Sequence, residues 1–285
     1  MMRTQPNDCD IIKTRQRAWA TRNGIKFDAD GYCTCVDDNI FHGLSPDART
    51  DFKNGDGAEL GEKDERGKIQ ALHSSSALAC NWFDYWRGRD LQPLSRAFGV
   101  PVEFSTLTLE QSRFSTGVGG INPNLDVLLT CSDETPFAIE SKFAEPYTKS
   151  KQKKYLKPAY LPNNRHLWAE AGLPGCQSVA EALRTGKHRF EVLDVAQLLK
   201  HMLALARNNQ NWKLCCVWFE MPGSTADQHR QELTEFVTKI GNDAKHFSVL
   251  TYQELFKRMI PFVGKTDSEY MAYLRERYVS EAVVS

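Results

Sequence analysis

Residues 124–143 of the chain read NLDVLLTCSDETPFAIESKF, and this stretch decides the fold. It contains two runs rich in β-forming residues, at 124–131 and 135–143, with the turn signal SDETP at 132–136 between them. The pattern predicts two adjacent antiparallel strands joined by a short hairpin turn.

Charged residues share one face of the predicted hairpin. Alternate residues of a strand point the same way, so Glu140 and Lys142 are neighbours on one face. A hairpin that turns symmetrically about Asp133 places Asp126 opposite Glu140. We therefore expect two carboxylates and one ammonium group to lie together.

This trio suggests metal-assisted chemistry. Two carboxylates directly opposite each other repel, which cancels the usual ~0.2 to 1 kcal/mol of a cross-strand pair unless a cation compensates. Mg²⁺ prefers oxygen ligands and is often held by one or two carboxylates, with water and substrate phosphate completing its shell. Together with Lys142, such a site can activate a bound water and stabilise the charge that develops on a phosphodiester.

The alternative is an ordinary hairpin with a solvated polar face, in which Lys142 pairs with a carboxylate. The apolar neighbours on the same face weigh against it, because buried charges need compensation. These neighbours are Leu128, Ala138 and Ala144.

Outward from the hairpin, the sequence predicts alternating helices and strands. A helix is expected at 68–87 and a strand at 101–111, and a strongly amphipathic helix follows at 193–208 with Asp194 as its cap. The remaining elements are a strand at 211–221, a helix ended by Gly241, a strand at 246–252 and a helix at 253–259. Residues 1–68 are polar with weak periodicity, so we interpret them as an N-terminal extension to a main domain at 69–285.

Composition excludes several classes of protein. The chain has 285 residues, with 36 Lys and Arg balancing 36 Asp and Glu, so its overall charge does not indicate a polyanionic partner. Its eight cysteines are too sparse for a disulfide scaffold and suit a reducing compartment. No apolar stretch is long enough for a signal peptide or a membrane span. We expect a globular cytoplasmic protein that has no membrane partner.

The hairpin also resembles a known family. Pro123 and Asp126, then thirteen intervening residues and the run Glu140-Ser141-Lys142, resemble the bipartite PD-(D/E)XK signature of the restriction-endonuclease-like nucleases. Pro123 departs from the pattern because it stands three residues before Asp126. Sequence blocks between about residues 55 and 260 are similar to a bacterial branch of restriction nucleases.

The resemblance implies an α/β fold with a mixed central sheet flanked by helices. It implies that Asp126 and Glu140 bind Mg²⁺, with Mn²⁺ as an alternative ion, and that Lys142 positions the nucleophilic water. It further implies that the protein is a DNA endonuclease that hydrolyses phosphodiester bonds in restriction or defence. Its partner would be double-stranded DNA, and the resemblance also allows a homodimer. The same fold could instead serve a non-catalytic nucleic-acid-binding protein.

Two further positions are candidates for the site. Members of this superfamily often add an acidic residue from the first core helix or the segment before it, and Glu59 is our candidate, with Glu62 and Glu65 as competitors. A solvated acidic loop is the simpler interpretation of these three. Gln197 and His201 share a helix face at i and i+4, from which Gln197 could hold a phosphate or a water.

A run of lysines begins seven residues after Lys142 and is interleaved with tyrosine. Charge runs are usually solvated, but lysines also suit the phosphate backbone of nucleic acids. We predict backbone contacts by Lys149, Lys151, Lys153, Lys154 and Lys157.

A glycoside hydrolase that uses Asp126 and Glu140 as its carboxylate pair is a further alternative. Lys142 beside Glu140 disfavours it, because a nearby ammonium lowers the pKa that a general acid needs raised.

Overall fold

The fold is built on one mixed sheet. The computed structural model describes residues 8–55, 59–61, 65–120, 122–148 and 156–279. Its strands are β1 (Phe104–Gln111), β2 (Leu125–Cys131), β3 (Pro136–Lys142), β4 (Lys213–Trp218) and β5 (Phe247–Thr251), in that spatial order. The β1–β2 and β2–β3 pairs are antiparallel, whereas β3–β4 and β4–β5 are parallel.

The β2–β3 hairpin has the register predicted from the sequence. Val127 pairs with Ile139 and Thr130 with Pro136, so the same register carried one residue further brings Asp126 opposite Glu140. Across the turn, the Cys131 amide donates to the Thr135 carbonyl oxygen at 2.9 Å.

Helices cover the sheet. Those of the described chain are α1 (Asp8–Arg22), α2 (Pro46–Asn54), α3 (Ser75–Phe83), α4 (Gln92–Phe98), α5 (Leu167–Glu170), α6 (Pro174–Arg184), α7 (Val195–Asn208), α8 (Ser224–Ile240), α9 (Tyr252–Met259) and α10 (Ser268–Leu274). This arrangement confirms the predicted α/β class with a mixed sheet flanked by helices.

The two faces of β3 contact different helices. Ser141 lies with its hydroxyl 2.6 Å from that of Tyr252 on α9, and the Tyr252 ring packs on Trp82 of α3. The alternate residues Glu140 and Lys142 contact α7 instead. The predicted charged face of the hairpin is therefore the face that α7 covers.

The helix predicted at 68–87 is shorter than expected. A single 3-10 turn spans Lys68–Gln70, and α3 begins only at Ser75, where the Ser74 hydroxyl caps it. The reason lies in Asn39, whose amide donates to the carbonyl oxygens of Ile69 and Ala71. These carbonyls are engaged by a distant side chain, so the apolar spacing before Ser75 serves burial and not helix formation.

The N-terminal segment contains helices that the weak periodicity did not predict. Ile12 of α1 and Phe52 of α2 are buried in the same apolar cluster as the sheet. The α2 helix also packs on β1. Within the described residues, no helix combines the length and the apolar character needed to cross a bilayer.

Candidate active site

The hairpin brings Asp126, Glu140 and Lys142 together at one end of the sheet. Glu140 is fully buried, and the Lys142 side chain is 17% exposed and forms an ion pair with Glu140 Oε1. Asp126 is half-buried, and its Oδ2 accepts a 2.7 Å hydrogen bond from the Ser141 amide. Two carboxyl groups and one ammonium group thus share a small, largely desolvated space.

Helix α7 completes this arrangement. Lys142 Nζ donates to Gln197 Oε1 at 2.9 Å, and His201 Nδ1 lies 3.0 Å from Glu140 Oε2. Asp194 caps the helix by accepting from the Gln197 amide at 2.9 Å, which sets where the helix begins and so which face it presents. The predicted Gln197 and His201 face therefore lies against the charged hairpin.

The charges shift one another's pKa values. Burial would raise the pKa of Glu140, but Lys142 and His201 outweigh it and lower that pKa to about 2. Burial and the neighbouring Glu140 raise the pKa of Asp126 well above its ordinary value. Burial would lower the pKa of Lys142, but Glu140 and Asp126 outweigh burial and hold that pKa above its ordinary value. Glu140 and Lys142 are accordingly an ionised pair, and Asp126 is the carboxyl group that lacks sufficient positive charge.

Glu110, which sequence reasoning missed, belongs to the same group. Leu109 pairs with Val127 and Gln111 with Leu125, so Glu110 falls opposite Asp126. Glu110 is only 9% exposed and has a left-handed φ of 50°. Burial, followed by the charges of Glu59 and Glu140, raises its pKa to about 8.

The sequence carried only a weak signal for Glu110. It is an acidic residue near the end of a β-forming run, but the connection from β1 to β2 spans residues 112–124. A connection of this length does not set the register of the strands it joins, whereas a tight turn does.

Glu59 lies at the edge of this site. Its Oε2 accepts a 2.7 Å hydrogen bond from Ser76 in the first turn of α3, and its Oε1 is 3.3 Å from Lys68 Nζ. Its charge raises the pKa of Glu110, which places it near the carboxylates. Of its competitors, Glu65 is exposed and Glu62 lies outside the described residues.

The lysine run is described only at its end. Lys149, Lys151, Lys153 and Lys154 lie outside the described residues. Lys157 is exposed, and together with Lys200 of α7 it lines a surface pocket that also includes Pro123. Positive charge thus lies close to the segment that leads into Asp126.

The donor set suits a hard cation. Carboxylate oxygens are ligands that Mg²⁺ and Mn²⁺ accept, and an added positive charge would relieve the unfavourable burial of Asp126. Within the described ranges, no three His, Cys, Asp or Glu side chains converge as a complete ligand set. A cation here would draw on Asp126 and Glu140, with water or substrate oxygens completing its shell.

Comparison with known proteins identifies the family of the chain. The sequence model of a family described as restriction endonuclease associating with ARP matches residues 13–279. No curated protein and no solved structure matches the chain. Since the family match spans nearly the whole chain, including every residue of the site, the chain belongs to the family of restriction endonucleases associating with ARP.

Proposed function

We propose that the chain is a Mg²⁺-dependent endonuclease of the PD-(D/E)XK type that cleaves double-stranded DNA in restriction or defence. The observation that carries this proposal is the desolvated group of Asp126, Glu140 and Lys142 on two hydrogen-bonded strands. Membership of a restriction endonuclease family supports it.

In the proposed reaction, Asp126 and Glu140 hold the metal ion, with Mn²⁺ as an alternative to Mg²⁺. When bound, the ion supplies a water of lowered pKa and neutralises charge on the scissile phosphate. Both carboxyl groups are anchored in advance of any ligand, Asp126 by the Ser141 amide and Glu140 by Lys142 and His201. Anchored ligands reduce the reorganisation that metal binding would otherwise require.

Lys142 acts as a charged hydrogen-bond donor in this proposal. Its pKa is held above the ordinary value, so it stays protonated at neutral pH and is unsuited to accept a proton from water. Glu140 and Gln197 accept two of the three hydrogens of its ammonium group. The third can orient the attacking water or stabilise a phosphate oxygen.

The geometry weighs against a glycoside hydrolase. That chemistry needs one carboxylic acid to keep its proton near neutral pH, and Lys142 holds the pKa of Glu140 at about 2. Glu140 could then serve only as the nucleophile or base and Asp126 only as the acid, and the ammonium group of Lys142 would have no role in that reaction.

Cleavage of supercoiled plasmid with and without Mg²⁺ tests the proposed function. We expect cleavage only with the metal. The cleavage rate should fall by about 10³-fold or more in Asp126→Ala, Glu140→Ala and Lys142→Ala, because these residues act as one unit. Glu134→Ala, at an exposed residue of the hairpin turn, is the matched control and should cleave normally. Metal-independent DNA binding without cleavage would favour a non-catalytic binding protein, and wild-type cleavage by any of the three variants would refute the assignment.

We also propose that the lysine run contacts the DNA backbone. The triple variant Lys151→Gln, Lys153→Gln and Lys154→Gln should bind all sequences more weakly. The slope of log K against log salt should flatten by about 0.9 for each phosphate that the variant no longer neutralises. The control is Lys239→Gln on α8, which pairs with Glu235. If the affinity and the salt slope of the triple variant equal those of the wild type, the lysine run is exposed to solvent and does not contact DNA.

A further inference from the structure

A surface pocket of about 240 Å³, here called the Tyr160 pocket, lies beside the candidate active site. Its lining includes Asn122, Pro123, Lys157, Ala159, Tyr160 and Lys200. Pro123 stands three residues before Asp126, and Lys200 is next to His201, which lies 3.0 Å from Glu140. Three extended residues span at most about 11 Å, so Pro123 lies within about three base steps of Asp126.

The walls of the Tyr160 pocket are mostly apolar, and its central ring is held in place. The Tyr160 ring is only 6% exposed, and its centroid lies 6.1 Å from that of Trp168. The Trp168 indole N–H in turn donates to the Leu199 carbonyl oxygen of α7 at 2.8 Å. The pocket is smaller than the roughly 300 Å³ at which drug-sized ligands begin to fit. It therefore suits a small flat ring.

Polar side chains at the pocket indicate what such a ring would carry. The Asn122 amide nitrogen donates to the Ser112 carbonyl oxygen at 2.7 Å, and its Oδ1 has no donor among the described residues. Lys157 is exposed and Lys200 is half-buried, and neither pairs with a carboxylate in the described part of the chain. One oriented acceptor near two ammonium groups fits a ring that has an amino group and is linked to a phosphate. A nucleotide has this chemistry.

We propose that the Tyr160 pocket receives one unstacked nucleobase of the DNA near the cleaved bond, with Asn122 Oδ1 accepting from its amino group. This inference rests on the proposed function and assigns a residue to sequence selection. Proteins read an extruded base by hydrogen bonds to its pairing edge and by packing it between aromatic or apolar side chains. Adenine, cytosine and guanine carry an amino group and thymine does not, so the pocket should disfavour thymine.

Isothermal titration of the full chain with dAMP, dCMP and dTMP in EDTA tests the pocket without relying on cleavage. The wild type should bind dAMP and dCMP more tightly than dTMP or inorganic phosphate. Ala159→Trp fills the pocket from an exposed position and should lower the affinity for dAMP by about tenfold or more. Ala272→Trp, at an exposed residue of α10 outside the pocket, is the matched control.

A second experiment distinguishes a base within DNA from a free nucleotide. Sequencing the ends of cleaved plasmid locates the cut, and 2-aminopurine is then placed within about three base steps of it in a short duplex. This adenine analogue fluoresces more strongly when it is unstacked. Its fluorescence should rise when the wild type or Ala272→Trp binds in EDTA, and should not rise with Ala159→Trp. If the wild type binds dAMP but causes no rise, the pocket holds a free nucleotide and its assignment to DNA is wrong.

The outcomes separate this inference from the proposed function. If the wild type cleaves plasmid with Mg²⁺ but binds the nucleotides no more tightly than Ala159→Trp does, the pocket takes no base and the proposed function stands. If the wild type does not cleave, the proposed function fails and the assignment of the pocket to DNA fails with it. Circular dichroism establishes that Ala159→Trp is folded. If it is not, Asn122→Leu decides, because an unchanged preference for dAMP over dTMP would refute the role of Asn122.

Discussion

Two of the places where the molecule buries charge differ in how that charge is compensated. Arg277, near the end of the described chain, is only 5% exposed. Its guanidinium donates to Gln16 Oε1 at 3.0 Å, to the Asn39 carbonyl oxygen at 2.8 Å and to Asn39 Oδ1 at 2.5 Å. It also donates to the Tyr273 hydroxyl at 2.6 Å and stacks over Trp19. At the other place, the row of Glu110, Asp126 and Glu140 holds three acids against one buried lysine.

This difference distinguishes a structural charge from a functional one. A buried ion whose hydrogen-bonding groups are satisfied holds elements together, and Arg277 joins α1 to Asn39 and to the last described segment. Buried carboxyl groups that repel one another destabilise the free protein, and such arrangements are typical of sites that bind a ligand. Mutation of Arg277 should therefore lower the free energy of unfolding, whereas mutations in the row of acidic residues should lower activity without lowering stability.

The largest expected effect on stability is at Arg277. Arg277→Met should lower the free energy of unfolding by roughly 3 to 5 kcal/mol, because it leaves the buried side-chain oxygens of Gln16 and Asn39 without donors. Urea denaturation measures this loss, and Arg275→Met at an exposed neighbouring position is the control, with a change within about 0.5 kcal/mol. Equal effects of the two variants would show that the Arg277 network does not stabilise the fold.

The next largest expected effect is a loss of stability as the pH rises. Glu110 has a folded-state pKa of about 8 against an ordinary value of 4.5, so the folded protein retains a proton that the unfolded chain releases. Stability from this group is fully present below about pH 4.5 and is lost as the pH rises to about 8, at up to about 1.4 kcal/mol per pH unit. Urea denaturation in EDTA at pH 5.5, 6.5 and 7.5 should show this decline in wild type and a shallower one in Glu110→Gln. Parallel curves for the two proteins would contradict the buried, raised-pKa state of Glu110.

The smallest effect is expected at Asp126. Asp126→Asn keeps an oxygen to accept from the Ser141 amide but removes a carboxyl group that faces the ionised Glu140, so without metal it should raise stability by about 1 kcal/mol or less. Thermal unfolding in EDTA measures the gain, and Asp133→Asn in the exposed turn is the control. A lower melting temperature for Asp126→Asn than for wild type would contradict the facing carboxylates.

Local patterns were sufficient for the hairpin and for α7. The short turn sets the β2–β3 register, so turn chemistry and strand alternation were enough to place Asp126 opposite Glu140. Helical periodicity likewise placed Gln197 and His201 on one face, since residues four apart lie together on a helix. Strand alternation, helical periodicity and turn chemistry all depend on residues close together in the chain, so these predictions did not require knowledge of the tertiary structure.

Long-range contacts decided the rest. Asn39 binds the carbonyls of Ile69 and Ala71 and so delays the start of α3, and helices α1 and α2 reach the core despite their weak periodicity. The sequence alone determined the central hairpin, its register and the identity of its facing charges. Only the tertiary structure brought α7 against that face and Glu110 opposite Asp126, because the register of strands joined by a long connection depends on packing across the whole sheet.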